Sequence, residues 1–315
     1  MISCTEFIPL YSEFFKFLEK RLGEDAVLEY WYHISDMGIG DKTNPNTLIS
    51  FIERDGSFEG AVNYWHHTLA DEACDLLEIC DRKRRYVYTH MRHCPSRGRL
   101  NALEHIEPYH NYCEHCKVIY NRVLDKYGIA YERDHSKIDN AECFSILYEV
   151  GNKPTCDVTE REGREVMELR EGELKYLHRD FHLHCDMALS YCGEKFGADT
   201  VVDFLTDYTK NYYAPVIEKI RLGGLSALRD WITDVYETEE ASELLHTELS
   251  GNKLTVSVDK SPVIEYMKSL NQKPGKYYIE QTRTLYRVIA ESVGFEFALD
   301  YYNEDGGCKY SFKSK

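Results

Sequence analysis

The chain has no apolar run near the roughly 18 residues that a membrane-crossing helix needs, and no basic-then-apolar start. Neither a membrane span nor a signal peptide is therefore expected. Positive charge is also short: 38 Lys and Arg stand against 54 Asp and Glu, for a net charge of −16. Binding a phosphate backbone needs a basic face, so nucleic acid is excluded as a partner. The one basic cluster, "DRKRRY" at 81–86, is short and precedes a strand-like run, which suits a solvated turn. No Gly-rich phosphate loop, Walker sequence, His-Glu-x-x-His or Gly-x-Ser-x-Gly occurs. The single Cys-x-x-Cys, Cys113 and Cys116 in "HNYCEHCKVIY", has no second pair to close a four-sulfur metal site.

What is present points to a folded protein. The 315 residues suffice for two ordinary domains, and 43% hydrophobic content with 25 Tyr can build their cores. Eleven cysteines, an odd number without framework spacing, suit reduced thiols in a cytoplasmic chain, some of them free to ligate metal.

The chain repeats itself. "LGEDAVLEY" at 22–30 returns as "FGADTVVDF" at 196–204, and "EACDLL" at 72–77 as "EASELL" at 240–245. "CPSRGRLNAL" at 94–103 faces "SPVIEYMKSL" at 261–270. The stretch 112–132 faces the one from 278, with Tyr120 over Tyr286 and Gly128 over Gly294, and Cys143 falls over Cys308. Matches in the same order at nearly constant offset predict two tandem homologous domains, 1–152 and 172–315, joined by a charged linker or short helix. Each copy reads as α+β, with helices packed on a small antiparallel sheet. Helices are expected at 11–22, 24–36, 61–79 and 112–127, the last capped by Gly128. Strands are expected at "YVYTHMR", with Val87, Thr89 and Met91 on one face, and at 129–134 and 142–148. Two like domains predict a pseudo-twofold pairing, and association of whole chains into a homo-oligomer stays open.

Three constellations carry candidate chemistry. Cys113 and Cys116 share a helical stripe with Tyr120, Val123 and Tyr127, which is equally the pattern of buried core thiols. At the following hairpin, Glu132, His135 and Cys143 are spaced +3 and +8. Thiolate, imidazole and carboxylate form the ligand set of zinc or a similar divalent metal, so Cys113, Cys116, His135, Cys143 and Glu132 are the candidate ligands. The second copy has Ile279 and Thr282 in place of the two helix cysteines, which confines such a site to the first copy. In "HCPSRG", Cys94 ends a strand beside His93, Arg97 and Arg99, where cations lower a thiol pKa. It reads as nucleophile or metal ligand, or as a cysteine merely closing a strand. In "HRDFHLHC", His178, His182 and Cys185 fall on one helical face, either as a metal or catalytic group or as packed histidines. Trp65 and His67 suggest a pocket wall, as they equally suggest core.

On "HCPSRGRL", "YCEHC" and "ECFSI", the chain resembles the L-2-amino-thiazoline-4-carboxylic acid hydrolase-like family. More distantly it resembles the 4-vinyl reductase and haem-NO-binding domains. Phenol sensors of the 4-vinyl reductase type hold zinc with an upstream Cys, then Glu, Cys and Cys, and Glu132, His135 and Cys143 reproduce that spacing with His for one Cys. The resemblance implies a hydrolase acting on a C–N bond of a small polar heterocycle or amide. Cys94, or water on a metal, would supply the nucleophile, with His178 and His182 assisting and Arg97, Trp65 and His67 at the substrate. The competing expectation is a non-enzymatic small-molecule-binding module with a structural metal.

Overall fold

Residues 1–314 are described by a computed structural model, an α+β fold of eleven α-helices and two antiparallel sheets of five and four strands. The chain divides into two units. Leu18–Tyr176 forms a central unit, and Met1–Phe17 joins the chain from Leu177 onward in a terminal unit. Relative to the expected limits of 1–152 and 172–315, the first seventeen residues thus belong with the C-terminal half. No helix among the described residues is long and apolar enough to cross a membrane.

In chain order, helices α1 (Phe7–Leu22), α2 (Glu24–Ile34), α3 (Leu48–Asp55) and α4 (Ser57–Ala70) come first. The hairpin β1 (Asp75–Asp81) and β2 (Tyr86–His93) follows, then α5 (Pro95–Asn101) and α6 (Glu114–Leu124). Strands β3 (Ile129–Asp134), β4 (Cys143–Glu149) and β5 (Glu165–Leu169) complete a sheet of order β3-β4-β2-β1-β5. Gly128 ends the turn after α6 in the left-handed conformation, φ 70°, which admits glycine at no steric cost.

Two expectations are corrected here. The helix expected over 61–79 stops at Ala70, and 75–81 is strand β1. Leu76, Leu77, Ile79 and Cys80 are all buried because β1 lies between β2 and β5 and is covered on both faces, so apolar residues fall on either side of the pleat. The stretch expected as a linker contributes β5, an edge strand paired to β1 from Leu76↔Leu169 to Cys80↔Glu165. Strands β2, β3 and β4 lie where the alternation places them, and Cys113 is the N-cap of α6 rather than a residue within it.

The terminal unit has α7 (Phe181–Phe196), α8 (Ala198–Tyr212) and α9 (Ala214–Thr238), then β6 (Leu245–Ser250) and β7 (Lys253–Val258). Helices α10 (Pro262–Ser269) and α11 (Glu280–Ser292) precede β8 (Glu296–Tyr302) and β9 (Cys308–Lys313). Its sheet order, β8-β9-β7-β6, is the order of β3-β4-β2-β1 in the central sheet. The element after each second strand begins alike. Cys94 Sγ accepts from Arg97 N at 3.5 Å and Ser261 Oγ from Ile264 N at 3.4 Å, each with proline as the first helical residue.

Register sorts the side chains on the covered face of the central sheet into rungs, because alternate residues share a face. Cys80, Val87, Leu147 and Tyr131 form an apolar rung and pack with Phe58, Val62 and Trp65 of α4 and Val123 and Leu124 of α6. The next rung on that face is Glu78, Thr89, Ser145 and Arg133, and it is polar throughout.

Candidate functional site

That polar rung leads to the cysteines. Glu78 and Thr89 are only 2% and 4% exposed, and Ser145 is buried. Glu78 accepts from His66 Nδ1 at 3.1 Å, while its Oε2, together with Thr89 Oγ1 and Arg133 Nε, is buried with no partner among the described residues. Burial pushes the Glu78 carboxyl up against the opposing pull of His66. Buried polar atoms without partners are costly, and a row of them at one level of a sheet is a place built to receive something polar.

Arg133 projects from β3 on the same face as Tyr131. It donates to Tyr131 Oη at 2.7 Å and to Cys143 Sγ at 2.8 Å, the sulfur on the neighbouring strand. From α6, Cys116 Sγ lies 3.4 Å from Nε2 of His115, whose Nδ1 bonds the carbonyl of Tyr112. Tyr120, one turn on from Cys116, packs against Trp65 at 4.7 Å and edge-on to Tyr131, closing the apolar side of the cluster. Cys94, at the start of α5, feels Cys143, Cys116 and Arg133.

The thiols differ in state. Burial opposes ionisation of Cys116, but His115 and Arg133 together outweigh it and hold its pKa down to about 6. Cys94 goes the other way: burial pushes it well up, with Cys143 adding to the effect, so it is a neutral thiol and a helix cap. Burial also pushes Cys113 up to about 12, against Arg97 and Arg133, and Cys143 upward, against Arg133. Of these thiols only Cys116 is held below the ordinary range, and Cys94, expected from its sequence cations to be lowered, is pushed up by its burial.

The fold gathers Cys94, Cys113, Cys116, Cys143 and Trp65 around Arg133 and His115, with Arg97 close enough to act on Cys113. His135 sits at the margin, its Nδ1 bonded to Glu114 at 3.1 Å and its Nε2 unpartnered. Glu132 points out of the opposite face, exposed, bonded to Lys153 and Tyr148. His67 is exposed and stacks on Phe51. His178 precedes α7 instead of lying on it, and His182 is buried in the terminal unit against Glu239.

As a zinc site this set does not fit. No three of Cys113, Cys116, His135, Cys143 and Glu132 bring ligand atoms within 4.8 Å of one another. A guanidinium already sits on Cys143, and a second cation beside buried Arg133 would be repelled. Arg133 and His115 were not singled out by sequence, although His115 stands between the two cysteines. Arg133 had one signal, an arginine on the inward alternation of β3.

The terminal unit has different residues at the same register. Its rung is Thr247, Val256, Tyr310 and Leu299 in place of Glu78, Thr89, Ser145 and Arg133. A gap of about 10 Å³ is found there, lined by Ser261, Tyr278, Gln281, Thr282, Tyr286 and Cys308 among others, which is scarcely room for one water. No protein-family model, curated protein or solved structure matches the chain.

Proposed function

We propose that the chain is a hydrolase that cleaves a C–N bond in a small polar heterocycle or amide, with Cys116 of the central unit as its nucleophile. The observation that carries this reading is the placement of Cys116 Sγ 3.4 Å from His115 Nε2 within reach of the Arg133 charge. Thiolate and imidazolium side by side are the activated form of a cysteine nucleophile.

The chemistry then runs on residues of this chain. Cys116 sulfur attacks the electrophilic carbon, forming a C–S bond. Negative charge develops on the attached oxygen or nitrogen, and Arg133 Nε, which has no other partner, donates to it. The His115 proton passes to the leaving nitrogen as the C–N bond breaks. Water, deprotonated by His115, then attacks the same carbon and releases the thiolate. Glu78 and Thr89 offer buried acceptor and hydroxyl groups to the polar substituents of the substrate.

The terminal unit is read as a second copy of the same domain whose equivalent position has been filled. The shared strand order and paired helix caps support this. A small-molecule-binding module would share the polar rung but have no need of an ionised thiol. Cys116→Ala separates the two readings. Screened against small cyclic amides and amidines, the hydrolase loses turnover by at least about 1,000-fold while still binding the substrate. Turnover that survives the substitution, in a folded protein, rejects the nucleophile.

A further inference from the structure

The terminal unit holds a second constellation that the thiol chemistry does not use. Cys4, His182 and Glu239 come from three separate elements: a 3-10 turn (Cys4–Glu6), helix α7, and the residue that caps α9. Their side chains are 0%, 3% and 3% exposed, and Sγ, one ring nitrogen and one carboxylate oxygen lie within 4.8 Å of one another. Among the described residues this is the one group of three such ligand atoms that converges.

The two oxygens of Glu239 are used differently. Oε1 accepts from Ser3 Oγ and from the Cys4 backbone N–H, each at 2.7 Å, and Oε2 faces His182 Nε2 at 2.9 Å. Two donors therefore fix the carboxylate from behind and leave the other oxygen and the imidazole turned toward each other, the outer-shell support that orients metal ligands. His182 and Glu239 also lie in the wall of a cleft of about 370 Å³, together with Arg179, Lys260, Val263 and Tyr266. The cleft borders the His182 and Glu239 side of the group, the direction from which a fourth ligand would come. Three protein ligands with one open position is the arrangement of catalytic rather than structural zinc. One dication against one thiolate and one carboxylate also makes the buried site neutral.

We propose that Cys4, His182 and Glu239 bind one divalent ion of the zinc class, with the cleft supplying a water as fourth ligand. Binding displaces the thiol proton and requires the His182 tautomer with its proton on Nδ1. The proposal stands apart from the chemistry of Cys116, which uses none of these residues.

The test uses the full chain, tag-free and stripped of metal by a chelator. Cobalt(II) serves as the spectroscopic probe and zinc as competitor. One equivalent of cobalt should bind with a sulfur-to-cobalt charge-transfer band and visible bands of tetrahedral intensity, all bleached by zinc. Cys4→Ser should abolish the charge-transfer band, and Cys116→Ser should leave it unchanged. X-ray absorption of the zinc-loaded wild-type protein should give one sulfur and about three nitrogen or oxygen neighbours, a reading that stands even if a variant folds poorly. Less than about a tenth of an equivalent bound, a shell of two or more sulfurs, or a charge-transfer band that persists in folded Cys4→Ser overturns the site.

Discussion

At Cys116 two opposing influences meet on one sulfur: burial favours the neutral thiol, and His115 with Arg133 favours the thiolate. The thiolate wins down to a pKa of about 6, so the sulfur is unreactive below that pH and nucleophilic above it. Alkylation of the native protein by iodoacetamide should therefore include one rapid site whose rate rises through about pH 6. Mass spectrometry should place the label on Cys116, and His115→Gln should move the midpoint toward the ordinary thiol range near 8.5. Fast labelling at Cys94 instead would show that the wrong sulfur has been assigned. Thr89 makes a different point. Its hydroxyl is buried without a partner, and the corresponding residue of the other sheet is Val256. Thr89→Val keeps the shape and removes the orphan, so it should stabilise the protein by about 1 kcal/mol in a denaturant melt while weakening substrate binding. A loss of stability would mean that the hydroxyl is satisfied after all. Single residues of this kind were only partly legible beforehand. Cysteine and histidine announce their chemistry by type, but Arg133 and Glu78 owe theirs to register, which depends on strands far apart in sequence.

Helices and strands set what those residues can reach. Where α3 and α4 cross, Gly60 lies so close to α3 that a Cβ would come within 2.4 Å of Ile52 Cα and of the Phe51 carbonyl oxygen. Intrinsic propensity favours alanine over glycine inside a helix by about 1 kcal/mol, but here both obstacles are backbone. Gly60→Ala should destabilise the protein by about 2–3 kcal/mol, seen as a lower urea midpoint; an unchanged or raised midpoint would mean that the helices separate freely. In α7, Asp186 accepts the Gly275 N–H on both oxygens at 3.0 Å, yet burial pushes its pKa up to about 6. A carboxyl raised in the folded state contributes its stability below the unfolded pKa near 3.9 and loses it as pH rises through about 6. Asp186→Asn imitates the protonated form, so it should stabilise the fold at pH 8 and make little difference near pH 4. Thermal melts at the two pH values check this, and a gain confined to low pH would contradict it. Elements were more legible than contacts. Strands β2, β3 and β4 and the Gly128 cap follow from alternation and turn chemistry, which are local. The residues 75–81 misled because a strand covered on both faces loses its alternation and reads as a continuation of α4.

Across the molecule the two sheets share strand order and differ in the polarity of one rung. The central rung leaves three buried polar atoms without a partner, Glu78 Oε2, Thr89 Oγ1 and Arg133 Nε, whereas the terminal rung of Thr247, Val256, Tyr310 and Leu299 leaves one, Tyr310 Oη. Backbone amides at the middle of β7 and β9 should therefore exchange with deuterium more slowly than those of β2 and β4 under native conditions. Equal protection in both sheets would show that the polar rung exacts no cost. Recurring sequence at nearly constant offset goes with the strand order that the two sheets share, but the difference between their rungs was not legible, because it lies in pairs such as Thr89 with Ser145 that no single stretch displays.

A chain with two versions of one rung also offers selection two places to act. At Thr247, Val256, Leu299 and Tyr310 a substitution answers only to packing. At Glu78, Thr89, Ser145 and Arg133, on the proposed hydrolase reading, it answers to packing and to catalysis together. Under saturation mutagenesis scored for activity, the central four should tolerate almost no exchange, and the terminal four should accept any apolar residue of similar volume. Scored for abundance alone, the order should invert, with the catalytic positions the more forgiving. The tolerance profile of one half of the molecule would then serve as the baseline from which the demands of function on the other are read.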